Sequence, residues 1–531
     1  MQRIEVLDTT LRDGAQGEGV VFSLKDKLKV IRALDDLAID YIEAGNPASN
    51  PKDAELFQFA RGNLVLKHAQ LVAFGATCRA DQAASCDAGL IALGASGARF
   101  ASIFGKASAW QVEKVLKCTK EENLRMIRTS IAYLRGQGLR VFFDAEHFFD
   151  GWAADQAYAL ETLKAAQDAG AETLALCDTN GGTLPDAIGA AVAAVMREVR
   201  VPIAIHCHND AGLATACTMA AVASGACQVQ GTINGYGERC GNANLCEIIP
   251  NIALKMHRAC LGAEPLKQLT DTALLISDIA NLSMSARSPY VGRSAFAHKG
   301  GMHIDGMLKD AHAYEHISPE SVGNHRRYLV SEMAGRGALM TRLSALAPSL
   351  TKDSAKTREI MEMLKALESA GYSFEGADGS LTLRVLGALG ERPVFFDVLD
   401  FHVFSRKPED RLNAQAYVKV AVDGQVEITA DEGDGPVNAL DLALRKALTR
   451  FYPCLSGMRL KDFKVRVVSG SGTASSVRVQ IESTDGKNVW ATVGVSSNII
   501  EASFIALADS IEYLLMMAGS ESKTAFAAQS E

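Results

Sequence analysis

The sequence predicts an α/β protein led by a (β/α)₈ barrel, followed by a helical linker region and a smaller α+β domain with a two-fold internal repeat. Three observations carry this. From residue 3 to about 258, short β-like runs alternate with amphipathic helical patterns, in the number and length of an eight-fold barrel. Polar and charged residues gather just after the ends of those runs, where such barrels place their chemistry. Past residue 390 the period changes, and one pattern of strand, Asp-Gly turn, strand and helix occurs twice. A doubly wound open sheet is the alternative, but no GxGxxG follows the first strand.

Taken in order, the barrel strands are expected near residues 3–8, 40–45, 70–75, 99–104, 139–145, 173–178, 202–207 and 228–234. Helices fall between them, for example Leu24 to Leu37, Asp155 to Ala169, Pro185 to Val199 and Leu213 to Ser224. The glycine-rich stretch Asn234–Asn244 should open a helix over 243–257. Helical pieces near 270–286 and 351–372 flank a polar segment carrying His303, Asp305, Lys309, His312 and Tyr314. A solvated linker and a flap over a barrel mouth both fit that composition. The repeat places Val418–Val422, Val426–Thr429 and a helix at 436–450 against Val477–Ser483, Val489–Val493 and a helix at 498–516. The expected divisions are 1–262 for the barrel, 263–389 for the linker, 390–518 for the last domain and 519–531 for a polar tail.

Two segments carry the chemistry. Leu7-Asp8-Thr9-Thr10-Leu11-Arg12-Asp13 follows the first strand, where Asp13 is a hard oxygen ligand and Arg12 can hold a carboxylate or a developing oxyanion. Ile203-Ala204-Ile205-His206-Cys207-His208 puts two imidazoles on one face of a strand, because alternate residues point the same way. A lone histidine would more often be a core residue; the pair favours a metal, with Asp13 converging on it. Glu43, Asn46, Asp144, Glu146, His147, Asp178, Thr179 and Asn180 follow other strand ends. Glu146, between Phe142-Phe143 and Phe148-Phe149, is expected in an apolar surround. By spacing alone, Asn242 reads as a helix cap before a ligand, and Cys240 as a buried structural thiol before a reactive one.

Composition narrows the class. The chain has 531 residues, 48% of them apolar, and a net charge of −8 with no basic block, which argues against nucleic acid. No apolar run approaches a membrane span, and Met1-Gln2-Arg3 leads directly into a strand, leaving no room for a signal peptide. Eleven scattered cysteines without a CxxC suit a reducing, cytoplasmic compartment.

Leu7–Gln16, His206–Asp210 and Gly235–Asn242 together resemble the acyl-CoA-dependent 2-oxo-acid condensing enzymes, the isopropylmalate, homocitrate and citramalate synthases. Ser49–Asp53, Phe296–Ile304 and Tyr314–Pro319 are most similar to the citramalate branch, and the likeness spans essentially the whole chain. The resemblance implies acetyl-CoA and pyruvate as substrates, with citramalate formed for isoleucine synthesis. It implies a divalent cation (Mg, Mn or Zn) on Asp13, His206, His208 and Asn242, with Arg12 at the keto oxygen and Thr179 at the keto-acid carboxylate. Glu146 and His303 take the acid/base role with Tyr314 as partner, the last two reaching over the barrel of the other subunit of a homodimer. A branched-chain amino acid, isoleucine foremost, is the implied effector of the last domain. The alternatives are 2-oxoisovalerate as acceptor, a related acyl-CoA lyase, and a catalytically dead sensor, which the intact Arg12, Asp13, His206 and His208 oppose.

Overall fold

The computed structural model describes residues 3–328, 354–374, 376–406, 413–469, 475–486 and 488–519. They form two compact units, one of Met1–Ala297 with Glu315–Arg326 and one of His298–Tyr314 with the chain from Arg327 onward.

The first unit is a closed parallel barrel in sequential order. Its strands are β1 (Glu5–Asp8), β2 (Tyr41–Gly45), β3 (Gln70–Ala76), β4 (Phe100–Lys106), β5 (Arg140–Glu146), β6 (Thr173–Asp178), β7 (Ile203–Cys207) and β8 (Gln228–Gly231). Strands buried on both faces read as continuous apolar runs, and β6 and β7 are buried at every position. Helix α1 (Leu24–Asp36) starts at Ser23, whose hydroxyl accepts from the Asp26 amide while the Asp26 carboxylate accepts from the Ser23 amide. Helix α2 (Pro51–Asn63) starts from an Asn50 cap with Pro51 in its first turn. One apolar core joins the outward faces of the strands to the helices, with Val30, Ile31, Leu34, Phe143, Ile188 and Ile205 fully buried.

The end of the barrel differs from expectation. β8 stops at Gly231 rather than 234, because Ile233–Gly235 turns as a short 3₁₀ segment through Asn234 at φ +62°. The following helix, α3 (Leu245–Pro250), is capped by Asn244, whose side chain accepts from the Cys246 amide. Asn242 is therefore not the cap. Helix α4 (Leu269–Ala280) packs beneath the β8 loop, where the Asn234 side chain donates to the Ala273 carbonyl.

In the second unit, helix α5 (Gly301–Lys309) carries His303. Helices α6 (Ala355–Ser369) and α7 (Asp378–Leu389) follow, and then two three-stranded antiparallel sheets. The sheets are β9 (Asp397–Arg406), β10 (Asn413–Val422), β11 (Gln425–Gly433) and β12 (Arg459–Ser469), β13 (Ser476–Thr484), β14 (Val489–Ser496). Helices α8 (Pro436–Thr449) and α9 (Ile499–Ala518) close the two halves over a shared apolar core. Asp423 and Gly424, at φ +48° and +80°, make a two-residue hairpin turn between β10 and β11. The repeat thus has three strands per half, not two. The first strand of each was missed because bulges at Val398/Asp400 and Leu460/Asp462 break the alternation of two. The Ser380 hydroxyl of α7 donates to Asp509 of α9 at 2.7 Å and accepts from the Val493 amide, so α7 packs into this domain. The expected tail beyond Gly519 lies outside the described residues. Among them, no helix is long and apolar enough to cross a membrane.

Candidate active site

The loop after β1 is folded by its own polar residues. The Asp8 carboxylate accepts from the amide and hydroxyl of Thr10, and the Thr10 hydroxyl accepts from the Ile233 amide. Burial raises the Asp8 carboxyl to about 7, against the pull of those bonds. The loop closes back on the Thr9 carbonyl and carries Arg12 and Asp13 into the barrel mouth.

There Arg12 is gripped on three sides. Its Nε donates to Glu43 Oε2 at 2.5 Å, its Nη1 to Asp13 Oδ2 at 3.0 Å, and its guanidinium lies 3.7 Å from the centre of the Phe74 ring. Glu43 is fully buried, which pushes its carboxyl up to about 7 although Arg12 opposes the shift. Its second oxygen has no partner among the described residues. Burial also pushes the Asp13 carboxyl up, but Arg12 and the two imidazoles outweigh it and hold the group below the ordinary carboxylate range.

His206 and His208 leave the end of β7 toward Asp13, their ring centres 5.1 Å apart, with His206 Nε2 at 3.6 Å from Asp13 Oδ2. Burial lowers the pKa of both, that of His206 to about 3, so both stay neutral, the form that binds a cation. Donor atoms of Asp13, His206 and His208 lie within 4.8 Å of one another. Asn242 pairs with His208 through an antiparallel bridge and donates Nδ2 to Asp13 Oδ1 and to the Tyr236 carbonyl, each at 3.0 Å. Its Oδ1, like Nδ1 of each imidazole, is buried without a partner among the described residues. One carboxylate, two neutral imidazoles and an unused amide oxygen are a fitting donor set for a divalent cation. Gly237, at φ +153°, lets the loop pass; a Cβ there would stand 2.2 Å from the Asn242 amide.

Arg12, Asp13, His206 and His208 line a cavity of about 230 Å³ that also reaches Asp144, Glu146 and Thr179. The Thr179 hydroxyl accepts from the His147 amide at 2.8 Å, which leaves its proton free to donate inward. Its carbonyl accepts from Arg239, which also clamps Asp210 through two bonds of 2.7 and 2.9 Å. Glu146 departs from the apolar surround expected of it, since its carboxylate pairs with Lys106 of the neighbouring strand. Phe143, Phe148 and Phe149 turn instead into the core behind the strands. Cys240 is exposed. His303 and Tyr314 belong to the other unit, where their rings stack at 4.1 Å and 17°.

In the sequence Glu43 and Asp144 stand among the strand-end polar residues without a role, and Lys106 is not singled out. For Glu43 the signal was there, a carboxylate inside the otherwise apolar run Tyr41–Gly45.

Comparison with known proteins finds likeness along nearly the whole chain. The HMGL-like family model matches residues 3–280. A homocitrate synthase post-HMGL domain-like model matches 290–371, and the LeuA allosteric (dimerisation) domain matches 375–515. The chain is 46% identical over 518 residues to an (R)-citramalate synthase of Geobacter sulfurreducens, covering 97% of this chain and 98% of that one. It is 48% identical over 525 residues to the (R)-citramalate synthase of a Synechocystis species, covering 96% of each. A probable 2-isopropylmalate synthase of Methanopyrus kandleri is 31% identical over 513 residues, covering 96% of this chain and 98% of that one.

Proposed function

We propose, on the premise that the chain belongs to the HMGL-like family, that it condenses acetyl-CoA with pyruvate and hydrolyses the thioester to release citramalate and CoA. The observation that carries this is the 46–48% identity to citramalate synthases along nearly the whole chain, against 31% to an isopropylmalate synthase.

The residues divide the work as follows. Asp13, His206, His208 and Asn242 would hold a divalent cation, Mg, Mn or Zn, which would supply Lewis acidity at the keto oxygen of pyruvate. Arg12 adds fixed positive charge where negative charge develops on that oxygen, and it cannot swing away because Glu43, Asp13 and Phe74 hold it. Thr179 donates its hydroxyl proton to the pyruvate carboxylate. A base takes a proton from the acetyl methyl, and the carbon so freed forms the new bond to C2 of pyruvate. The keto π electrons move to oxygen, which is then protonated. Water attacks the thioester carbonyl, and the thiol of CoA leaves. Glu146, aligned by Lys106, handles the proton at the barrel mouth. The stacked His303–Tyr314 pair is the second acid/base element, brought to the barrel of the other subunit in a homodimer.

In this reading residues 1–262 hold the metal and the keto acid, 263–389 link and carry the His303–Tyr314 pair, and 390–518, with α7 packed against them, bind an effector in the cytoplasm. Isoleucine is the proposed effector, and neither nucleic acid nor a membrane is a partner. A coupling of about 1–3 kcal/mol between effector and substrate sites corresponds to roughly 5–150-fold in affinity. Millimolar isoleucine should therefore raise the pyruvate KM or lower kcat measurably, with leucine and valine weaker. A rate unmoved by all three would remove the sensing role and leave the domain a dimerisation element.

The acceptor is tested by acetyl-CoA-dependent thiol release across 2-oxo acids. The ring pair Phe74–Phe104, stacked at 5.5 Å, gives the cavity an apolar wall against which the acceptor's alkyl group would lie. Each added methylene in a tight apolar pocket costs about 1–3 kcal/mol. Pyruvate should lead 2-oxobutyrate about tenfold in kcat/KM, with 2-oxoisovalerate lower still. A higher kcat/KM for 2-oxoisovalerate would move the chain to the isopropylmalate branch.

A further inference from the structure

We infer that Lys27 is a positioning residue for the Arg12–Glu43 pair. It lies in the second turn of α1, on no wall of the cavity, and is 4% exposed. An ammonium has three donors, and here each is used: Nζ donates to the Leu11 carbonyl at 3.1 Å, the Ala44 carbonyl at 3.0 Å and Asp53 Oδ1 at 2.5 Å.

Those acceptors are informative. Leu11 directly precedes Arg12, and Ala44 directly follows Glu43. One buried charge therefore pins the two backbone segments whose side chains meet in the Arg12–Glu43 bond. The counter-ion is built into the second loop. Asp53 is 5% exposed, its Oδ2 accepts from the Asn46 amide at 2.9 Å, and it occupies the space a side chain at Gly45 would need. Gly45, at φ +143°, has a Cβ direction that would reach Asp53 Oδ2 at 2.3 Å. The capping box of Ser23 and Asp26 fixes where α1 begins and so where the ammonium stands. A surface ion pair would show none of this closure. A pair serving only the core would have no reason to place two of its three bonds on carbonyls flanking Arg12 and Glu43.

This inference rests on the proposed role of Arg12, and its test has one arm that does not. In the full-length enzyme, Lys27→Met keeps the side-chain length and removes the donors. Citramalate formation should lose about 10–100-fold in kcat, the usual cost of loosening a group that supports a reacting residue, with the acetyl-CoA KM within about twofold of wild type. Hydrogen exchange should speed up at amides of residues 9–17 and 44–50 and stay as in wild type at 206–210 and 240–244. Asp53→Asn, which keeps both carbonyl bonds, should fall between wild type and Lys27→Met in both readouts. A Lys27→Met kcat within about twofold of wild type, or exchange that quickens equally across all four segments, overturns the inference. If Lys27→Met does not fold, Asp53→Asn with wild-type kcat and exchange overturns it as well. A wild-type protein that releases no CoA from acetyl-CoA and pyruvate defeats the functional reading instead, and the exchange arm still judges Lys27.

Discussion

His206→Ala should lower citramalate formation by at least about 10³-fold while the protein stays folded, and the same substitution should abolish saturable binding of Mn²⁺ or Zn²⁺ in a titration. Cation polarisation of a carbonyl contributes several kcal/mol to the transition state, and about 1.4 kcal/mol is a factor of ten in rate. Little structure depends on the ring. His206 is the last residue but one of its strand, at the barrel mouth, and its Nδ1 holds no hydrogen bond among the described residues. Asp13→Asn is the companion variant, because Asp13 accepts from both Arg12 and Asn242 and alanine would strip both bonds. Asparagine keeps the shape and loses the charge that faces two imidazoles. A thermal midpoint within a few degrees of wild type, measured beside the metal titration, separates a lost ligand from a lost fold. Full activity of His206→Ala after chelation would remove the metal assignment.

What the sequence disclosed about this site followed from rules with short reach. His206 and His208 were legible because the period of a strand is two, and Asp13 because barrel chemistry sits after strand ends. Asn242 read by spacing as a helix cap first. The structure removes the cap reading, since Asn244 caps the helix and the bridge to His208 turns Asn242 inward. The partner of Glu146 was not legible. Neighbouring phenylalanines suggested an apolar surround, but adjacent residues of a strand face opposite ways, and register sets Lys106 beside Glu146 from 40 positions away. Lys27 was hidden for a similar reason, because a lysine in an amphipathic helix reads as its wet face until the loop behind it is seen. The missed strands β9 and β12 carry charged residues at both faces, with one bulge in β9 and two irregularities in β12, so neither showed a clean alternation.

Arg12→Lys is the sharper test of the chemistry, because it keeps a positive charge and changes only its shape. The guanidinium meets Glu43 through Nε and Asp13 through Nη1 and lies over the Phe74 ring, a fork that an ammonium cannot reproduce. Lysine in its place would satisfy one carboxylate at a time, and its charge would leave the point where the keto oxygen gains electrons. Loss of one preorganised donor at such a point costs about 2.7–4 kcal/mol, or roughly 10²–10³ in kcat. The expected pattern is therefore a kcat reduced by that factor, with the acetyl-CoA KM little changed, since the lost contact strengthens only as the new bond forms. Arg12→Ala is a poorer variant. It would leave Glu43 buried beside Asp144 without its cation, and a carboxyl already raised to about 7 would take up a proton, so a fall in rate would mix chemistry with repacking. Glu43→Gln supplies the control. It keeps an acceptor for Arg12 Nε and removes the buried charge, so a smaller loss than in Arg12→Lys assigns the larger effect to the guanidinium. An Arg12→Lys enzyme that retains more than about a tenth of wild-type kcat would show that Arg12 does not act on the developing oxyanion.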